Sequence, residues 1–393
     1  MSDEPFTPEE TAIIATVARF VAERVRPQVG KLERDGTYPQ ALVDEMRELG
    51  LYGIAVPERY GGLGLRVPVF AAVMEVLSRG WTTLAAYINS HSTVAYAIAT
   101  HGTEEQRARY LPQLATGEHR GSLCLSEPGC GSDLQAIRTT AKTAGAGYVV
   151  SGSKTYVTNG ARATVLLSLV RHPPEPGEKK PRISLLLIEK AIPNVTVTTI
   201  FDKMGFHLVD TVQIELDEAE VGKGQMLGGV EGKGFAQLMD ALEVGRIAIA
   251  ISAVGLAANA LSEAKRYAGE RRAFGVTIDQ HQAIQLKLAD MATRLVTARL
   301  ITMEAARLKD KGGRCDMITA MAKLHASDAA QEIAHDAVRI HGGAGYIAEQ
   351  AVERLYREAL LYTIGEGTND INRLVIARRM QGEAEMDYLG LVP

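Results

Sequence analysis

Three short segments of this chain set acidic, hydroxyl and aromatic side chains among glycines. The first, Leu123-Cys124-Leu125-Ser126-Glu127-Pro128-Gly129-Cys130-Gly131-Ser132-Asp133, reads as a strand running into a tight turn. Backbone N–H groups and two serine hydroxyls crowd together there, which suits the carbonyl and ring-nitrogen edge of a heterocycle, or a phosphate. An ordinary Gly/Pro turn is the plainer alternative. The second, Lys154-Thr155-Tyr156-Val157-Thr158-Asn159-Gly160, puts Tyr156 and Thr158 on one face of a strand, an aromatic and a hydroxyl for one side of a planar ring. Plain strand packing ahead of an Asn-Gly turn gives the same pattern. The third, Ile364-Gly365-Glu366-Gly367-Thr368-Asn369-Asp370-Ile371, sets Glu366 between glycines just before a helix carrying Ile371, Leu374 and Val375. Flanking glycines let the backbone come close to a ligand. The helix N-terminus stabilises the anion while burial beside an apolar substrate destabilises it. A carboxylate balanced in that way can act as a general base, and a helix-start Glu between turn glycines is the bland alternative.

Other chemistries find less support. Gly343, Gly345 and Ala348 match the spacing of a dinucleotide fingerprint, but that motif needs a preceding strand. Asp328 to Ile340 instead reads as helix, with Ile333, Ala337 and Ile340 along one face. Cys124, Cys130 and Cys315 form no CxxC pair and no zinc-finger spacing, so a reduced, intracellular, metal-free protein is expected. The 43 Lys+Arg against 47 Asp+Glu, net −4, argue against a broad nucleic-acid surface. The acidic start, Met1 to Glu10, does not resemble a targeting segment, and a cytoplasmic location is expected. The longest apolar run, Ile247 to Leu261, is rich in small residues and shorter than a membrane-spanning helix of about 18 residues. It reads as a buried helix, with no membrane as partner.

The elements that must position these segments follow from periodicity. Thr7, Pro8 and Glu10 offer an N-cap, a first-turn proline and a capping-box carboxylate for a helix that buries Ile13, Ile14, Val17, Phe20, Val21 and Val25. Helices are also expected from Pro39 to Leu49, with Gly50 as C-cap, and from Thr103 to near Gly117. From about 119 to 225, β-branched runs at 148–150, 155–158, 164–170, 183–188 and 211–216 imply an antiparallel sheet or barrel. His172 to Pro181 reads as an exposed loop between two of these strands. Beyond Gly232 the chain is helical again, with breaks at Gly269, Gly312 to Arg314, Gly342-Gly343 and Gly365 to Gly367. The expected fold is α+β: an N-terminal helical domain (1–118), a middle antiparallel β-barrel-like domain (119–230) and a C-terminal four-helix bundle (231–393).

In this order the motifs resemble the acyl-CoA dehydrogenase family over almost the whole chain. Supporting segments are Gly102 to Gln106 with Tyr110-Leu111-Pro112, Ser126 to Asp133, Arg271 to Gly275 with His281 to Ile284, His341 to Tyr346, and Glu366-Gly367-Thr368. The resemblance implies the same three-part fold, FAD as cofactor and a homotetramer. It also implies α,β-dehydrogenation of an acyl-CoA, with an electron-transfer flavoprotein as acceptor. By the same resemblance, Leu123, Leu125, Ser126, Gly131 and Ser132, with Tyr156 and Thr158, contact the flavin and its ribityl chain. Arg271, Phe274, Gln282, Arg339, Gly342 and Gly343 hold the adenine-diphosphate half across a subunit boundary, and Thr368 and Asp370 add FAD contacts. Ser132, Glu243, Arg246 and Gly367 fall at CoA-substrate positions, and Glu366 is the base. The family polarises the thioester carbonyl with a backbone N–H of the base and a flavin hydroxyl. Some members carry the base just before the Arg of a long C-terminal-domain helix; that position here is Gly245, which leaves Glu366.

Departures from the common pattern are Tyr156 for Trp, Ser126 for Thr, Arg339 for Gln and Gly365 for a bulky aromatic. The last implies room for a branched, cyclic or aromatic acyl group, unless another side chain fills it. No Arg occurs from Leu84 to Val94, which disfavours a glutaryl-type substrate. The length of 393 residues, without an oxidase-type extension, favours a dehydrogenase over an oxidase.

Overall fold

The structure is a computed structural model and describes residues 6–174, 177 and 181–382. Helix α1 (Pro8–Phe20) starts at the expected capping box, with Thr7 Oγ1 accepting from Glu10 N–H and the Glu10 carboxylate accepting from Thr7 N–H. The buried stripe continues through a π-turn, Val21–Val25, into α2 (Arg26–Asp35). Pro27 has no N–H to donate, so the helical ladder slips at this point. Next come α3 (Gln40–Glu48), α4 (Val67–Gly80), α5 (Thr82–His101) and α6 (Glu104–Ala115), the last with a second capping box from Thr103 and Gln106.

The middle strands are β1 (Gly121–Cys124), β2 (Thr140–Ala144), β3 (Gly147–Thr158), β4 (Val165–Arg171), β5 (Ile183–Glu189), β6 (Val195–Ile200) and β7 (Thr211–Gly222). They form one sheet, ordered β1-β4-β2-β3-β7-β6, with β5 on β4. It is not wholly antiparallel, since β1 pairs with β4 in parallel from Gly121↔Val165 to Cys124↔Ser168. Between these two strands the chain makes the 126–133 turn and the β2–β3 hairpin, a crossover long enough for parallel pairing. The runs at 148–150 and 155–158 belong to the single strand β3. Strands β4 and β5 are buried on both faces. Leu167, Leu169, Leu185 and Leu187 pack on Val94, Ile98, Leu111 and Leu238 of the helices, while Leu166, Val170, Leu186 and Ile188 fill the curl of the sheet with Val150, Val212 and Ile214. Of the loop expected across 172–181, His172 is buried with Nε2 2.8 Å from Ser184 Oγ, Pro173, Pro174 and Gly177 are exposed, and 175–176 and 178–180 lie outside the described residues.

The C-terminal helices are α7 (Gly234–Glu270), α8 (Gln282–Asp310), α9 (Asp316–His341), α10 (Ala351–Ile364) and α11 (Asn369–Arg379). A two-strand hairpin, β8 (Arg272–Ala273) with β9 (Val276–Thr277), joins α7 to α8. By length and composition α7 could cross a membrane, but it is mostly buried among α4, α5, α8, α9 and α10. Small residues allow that packing: a Cβ on Gly255 would lie 2.6 Å from the Glu75 carbonyl oxygen. Because α9 leads into Gly342, the 343–348 segment follows a helix and has no strand before it.

Candidate active site

Glu366 occupies the turn between α10 and α11, with φ 55°. Strained backbone of this kind in a non-glycine residue persists only where its surroundings over-determine it. The residue is half-buried, and a Cβ built on Gly245 of α7 would lie 2.9 Å from Glu366 Oε2 and 3.2 Å from Cδ. Positions 245 and 366 therefore address the same point in space, and a side chain at 245 would require the Glu366 carboxylate to move. Burial pushes the Glu366 carboxyl above its ordinary value, opposed first by Arg246 and then by Lys323. Among the described residues the Glu366 N–H has no acceptor. Arg246 is buried at 6% exposure, and its Nε has no hydrogen-bond partner.

Glu243 behaves differently. It is buried, and its carboxylate accepts from Lys309 Nζ at 2.8 Å and Cys315 Sγ at 3.1 Å. That carboxylate is engaged within the helical core. Beside Glu366, a Cβ on Gly365 would meet only the Leu361 carbonyl oxygen, at 3.5 Å. A side chain could therefore start at 365 without a close contact to its Cβ.

The Ser126–Asp133 turn is fixed from below. Glu127 and Cys130 exchange backbone hydrogen bonds of 2.8 and 3.0 Å, and Thr155 N–H donates to the Ser126 carbonyl at 2.9 Å. Buried Lys154 donates to the Leu125 carbonyl at 3.2 Å and Glu127 Oε1 at 2.8 Å, while the same carboxylate accepts from Arg138 and Thr139 N–H at 2.6 and 2.9 Å. The upper side is open. A Cβ on Gly129 would meet nothing within 4 Å, and one on Gly131 would meet only Ser126 Oγ at 4.0 Å.

The regular alternation expected from 154 to 158 does not hold. Lys154 pairs with Ile214 and Val157 with Val212, so β3 carries one extra residue, and Tyr156 lies at φ 56°. A bulge of this kind re-aims a side chain. The Tyr156 ring is 68% exposed and lies 5.4 Å from that of Phe201. Met204, a few residues on, is exposed, and its carbonyl accepts from Arg357 Nη1 at 2.7 Å. This contact ties the loop after β6, whose Phe201 meets Tyr156, to α10, the helix that precedes the Glu366 turn. Thr158 is half-buried, and its carbonyl accepts from Ser122 Oγ at 2.5 Å.

The structure does not bring every expected site residue to one place. Arg271, Phe274, Gln282, Arg339, Gly342 and Gly343 are exposed or half-exposed where α7 and α9 end together, as the Tyr267–His341 ring stack at 4.2 Å shows. At about 1.5 Å per residue, α7 carries Arg271 roughly 39 Å along its axis from Gly245, farther than an extended dinucleotide reaches. Thr368 caps α11 through Ile371 N–H at 3.2 Å, and exposed Asp370 pairs with Arg373 at 3.2 Å.

Three supporting groups carried no sequence signal of their own. Lys154 and Glu127 lie inside the 154–160 and 123–133 segments without a role suggested by their type, and Lys323 lies in an ordinary helical stretch. A lysine on the buried face of an amphipathic pattern was the available clue.

Comparison with known proteins covers most of the chain. Residues 7–118, 122–219 and 232–381 match the family models for the N-terminal, middle and C-terminal domains of acyl-CoA dehydrogenase. The chain is 39% identical over 377 residues to an acyl-CoA dehydrogenase of Bacillus subtilis, covering 96% of this chain and 99% of the relative. It is 37% identical over 379 residues to benzylmalonyl-CoA dehydrogenase of Aromatoleum aromaticum, covering 96% and 99%. It superposes on butyryl-CoA dehydrogenase of Megasphaera elsdenii with a TM-score of 0.92 and 31% identity, covering 97% and 100%.

Proposed function

The chain belongs to the acyl-CoA dehydrogenase family of FAD-dependent oxidoreductases, and from that premise we propose that Glu366 is the base that removes the α-proton of an acyl-CoA thioester. The observation that carries this reading is the Glu366 turn itself, where a half-buried carboxylate lies against Gly245 and its own N–H is unengaged.

The residues fit the cofactor. The open edge of the 126–133 turn and the outward Tyr156 suit the flavin, with Leu123, Leu125, Ser126, Gly131, Ser132 and Thr158 around it. The exposed group at the far pole, Arg271, Phe274, Gln282, Arg339, Gly342 and Gly343, suits the adenine-diphosphate half bound by a second protomer. Its distance from Glu366 supports a homo-oligomer with shared sites, of which a tetramer is our reading. Bound FAD supplies the acceptor for the β-hydrogen, which leaves substrate as hydride. The Glu366 carboxylate takes the proton as the α C–H bond breaks and its electron pair forms the 2-enoyl double bond. The free Glu366 N–H can donate to the thioester oxygen and stabilise the charge that develops there. Arg246, buried and unsatisfied at Nε, favours the ionised base and, with Ser132 and Gly367, can meet the pantetheine portion.

The lack of a side chain at Gly365, next to Glu366, supports a bulky acyl group, and the similarity to a benzylmalonyl-CoA dehydrogenase is in keeping with that. An electron-transfer flavoprotein is the proposed acceptor. Anaerobic bleaching of the flavin by straight, branched and aromatic acyl-CoAs tests the reading. Branched or aromatic members should bleach fastest, and Gly365→Tyr should slow them more than butyryl-CoA. Failure of every acyl-CoA to bleach would overturn the activity, and a uniform effect of Gly365→Tyr would overturn the pocket assignment. Reoxidation by an electron-transfer flavoprotein should outpace reoxidation by air.

A further inference from the structure

Helix α9 passes behind the Glu366 turn and presents one buried cation to it. Lys323 has 0% exposure, and its Nζ donates to the Gly367 carbonyl at 2.7 Å and to Asn369 Oδ1 at 2.8 Å. Asn369 Oδ1 also accepts from Ser327 Oγ at 3.0 Å, and its Nδ2 donates to Asp328 Oδ1 at 2.7 Å. The Gly367 carbonyl accepts a further bond from Asn372 Nδ2 at 2.9 Å. These bonds fall on the residues just after Glu366, so they explain how its left-handed backbone is held.

The electrostatics point the same way. Buried charges are normally paired, yet both hydrogen-bond acceptors of Lys323 Nζ are neutral oxygens. The carboxylates that act on the ammonium are Glu366 across the turn and Asp328 on its own helix, with Arg246 of α7 opposing. Facing Glu366 are Arg246 from α7 and Lys323 from α9. On α11, Asp370 is exposed and already paired with Arg373, and Asp328 is held by Asn369 and Arg373.

We propose that Lys323 is the positioning residue of the base: its ammonium holds the Gly367 carbonyl, and with it the Glu366 turn, and adds to Arg246 a second buried positive charge that favours the ionised carboxylate. This rests on the reading of Glu366 as the base. Burial lowers the Lys323 ammonium to about 8 and raises the Glu366 carboxyl, and each opposes the shift of the other. Removing the charge while keeping a donor should therefore make Glu366 harder to ionise without dismantling the turn.

The test uses the FAD-loaded enzyme and its Lys323→Gln, Lys323→Met and Lys323→Arg variants, with FAD content as the check on folding. Gln keeps a donor, Met fills the buried site without charge, and Arg keeps the charge. Infrared pH titration follows the carboxyl band that disappears in Glu366→Gln, which needs no turnover. Its midpoint should rise by about one pH unit or more in whichever uncharged variant retains FAD, a tenfold loss of ionised base at a given acidic pH. Arg should stay near wild type. The acidic limb of flavin bleaching by an acyl-CoA should move by the same amount and reach the wild-type plateau at high pH in Lys323→Gln. An unmoved midpoint overturns the proposal, as does an equal loss of rate at every pH. Failure of the wild-type flavin to bleach would instead overturn the acyl-CoA reading and leave the infrared result to stand by itself.

Discussion

Gly245 and Glu366 compete for one position, and the chain resolves the competition by giving the side chain to residue 366. Gly245→Ala would set a methyl 2.9 Å from Glu366 Oε2 and push the carboxylate off its place. Bleaching by acyl-CoA should slow about ten- to a hundredfold with FAD content unchanged, since misplacement of a reacting group by an ångström costs about that much. An unaltered rate would separate Gly245 from the site. The sign of the pH dependence follows from burial. The Glu366 carboxyl is raised above its ordinary value of 4.5, and only its anion accepts a proton, so the rate should rise with pH through a midpoint above 4.5 and be lost on acidification from there. Glu366 could be singled out in the sequence as a candidate base because glycines flank it. Its strained backbone and the lysine behind it were not, because both arise from contacts with distant parts of the chain.

At the level of elements, α10 joins the site to the middle sheet. Arg357 holds the Met204 carbonyl, Phe206 meets Tyr362 edge to face at 5.9 Å, and a Cβ on Gly205 would come within 3.1 Å of Glu358 Cγ. Glu358 itself has 0% exposure, accepts from Thr82 Oγ1 at 2.5 Å, and is pushed by burial to about 7. A carboxyl raised in the folded state stabilises the fold below its unfolded value near 4.5, and that contribution disappears as pH rises through about 7. Glu358→Gln should therefore gain thermal stability relative to wild type between pH 5 and pH 8, by roughly 2–4 °C, read from unfolding midpoints at the two pH values. A difference independent of pH would contradict the assignment. Helix starts at Thr7 and Thr103 were readable in advance, because capping is local. Strands β2 and β6, the parallel β1–β4 pair and the Tyr156 bulge were not, since each is set by a partner strand remote in sequence.

At the scale of the whole molecule, the span of α7 separates Arg271 from Glu366 by more than one cofactor can bridge. A site shared between protomers makes a specific demand. Arg271→Glu and Glu366→Gln chains, each inactive alone, should recover about a quarter of wild-type activity when co-expressed, if protomers pair at random. No recovery would mean that each chain completes its own site. The net charge of −4 does not bear on the proposed phosphate sites, because a few placed arginines and backbone donors suffice for phosphates. The α, β, α order was readable from hydrophobic period, while the two poles of the C-terminal bundle emerged only from its packing. One carboxylate, Glu366, carries the chemistry proposed for this chain. Its most direct test is anaerobic mixing of FAD-loaded Glu366→Gln with an acyl-CoA that bleaches the wild type. The flavin should stay bound and oxidised; bleaching at the wild-type rate would show that Glu366 is not the base.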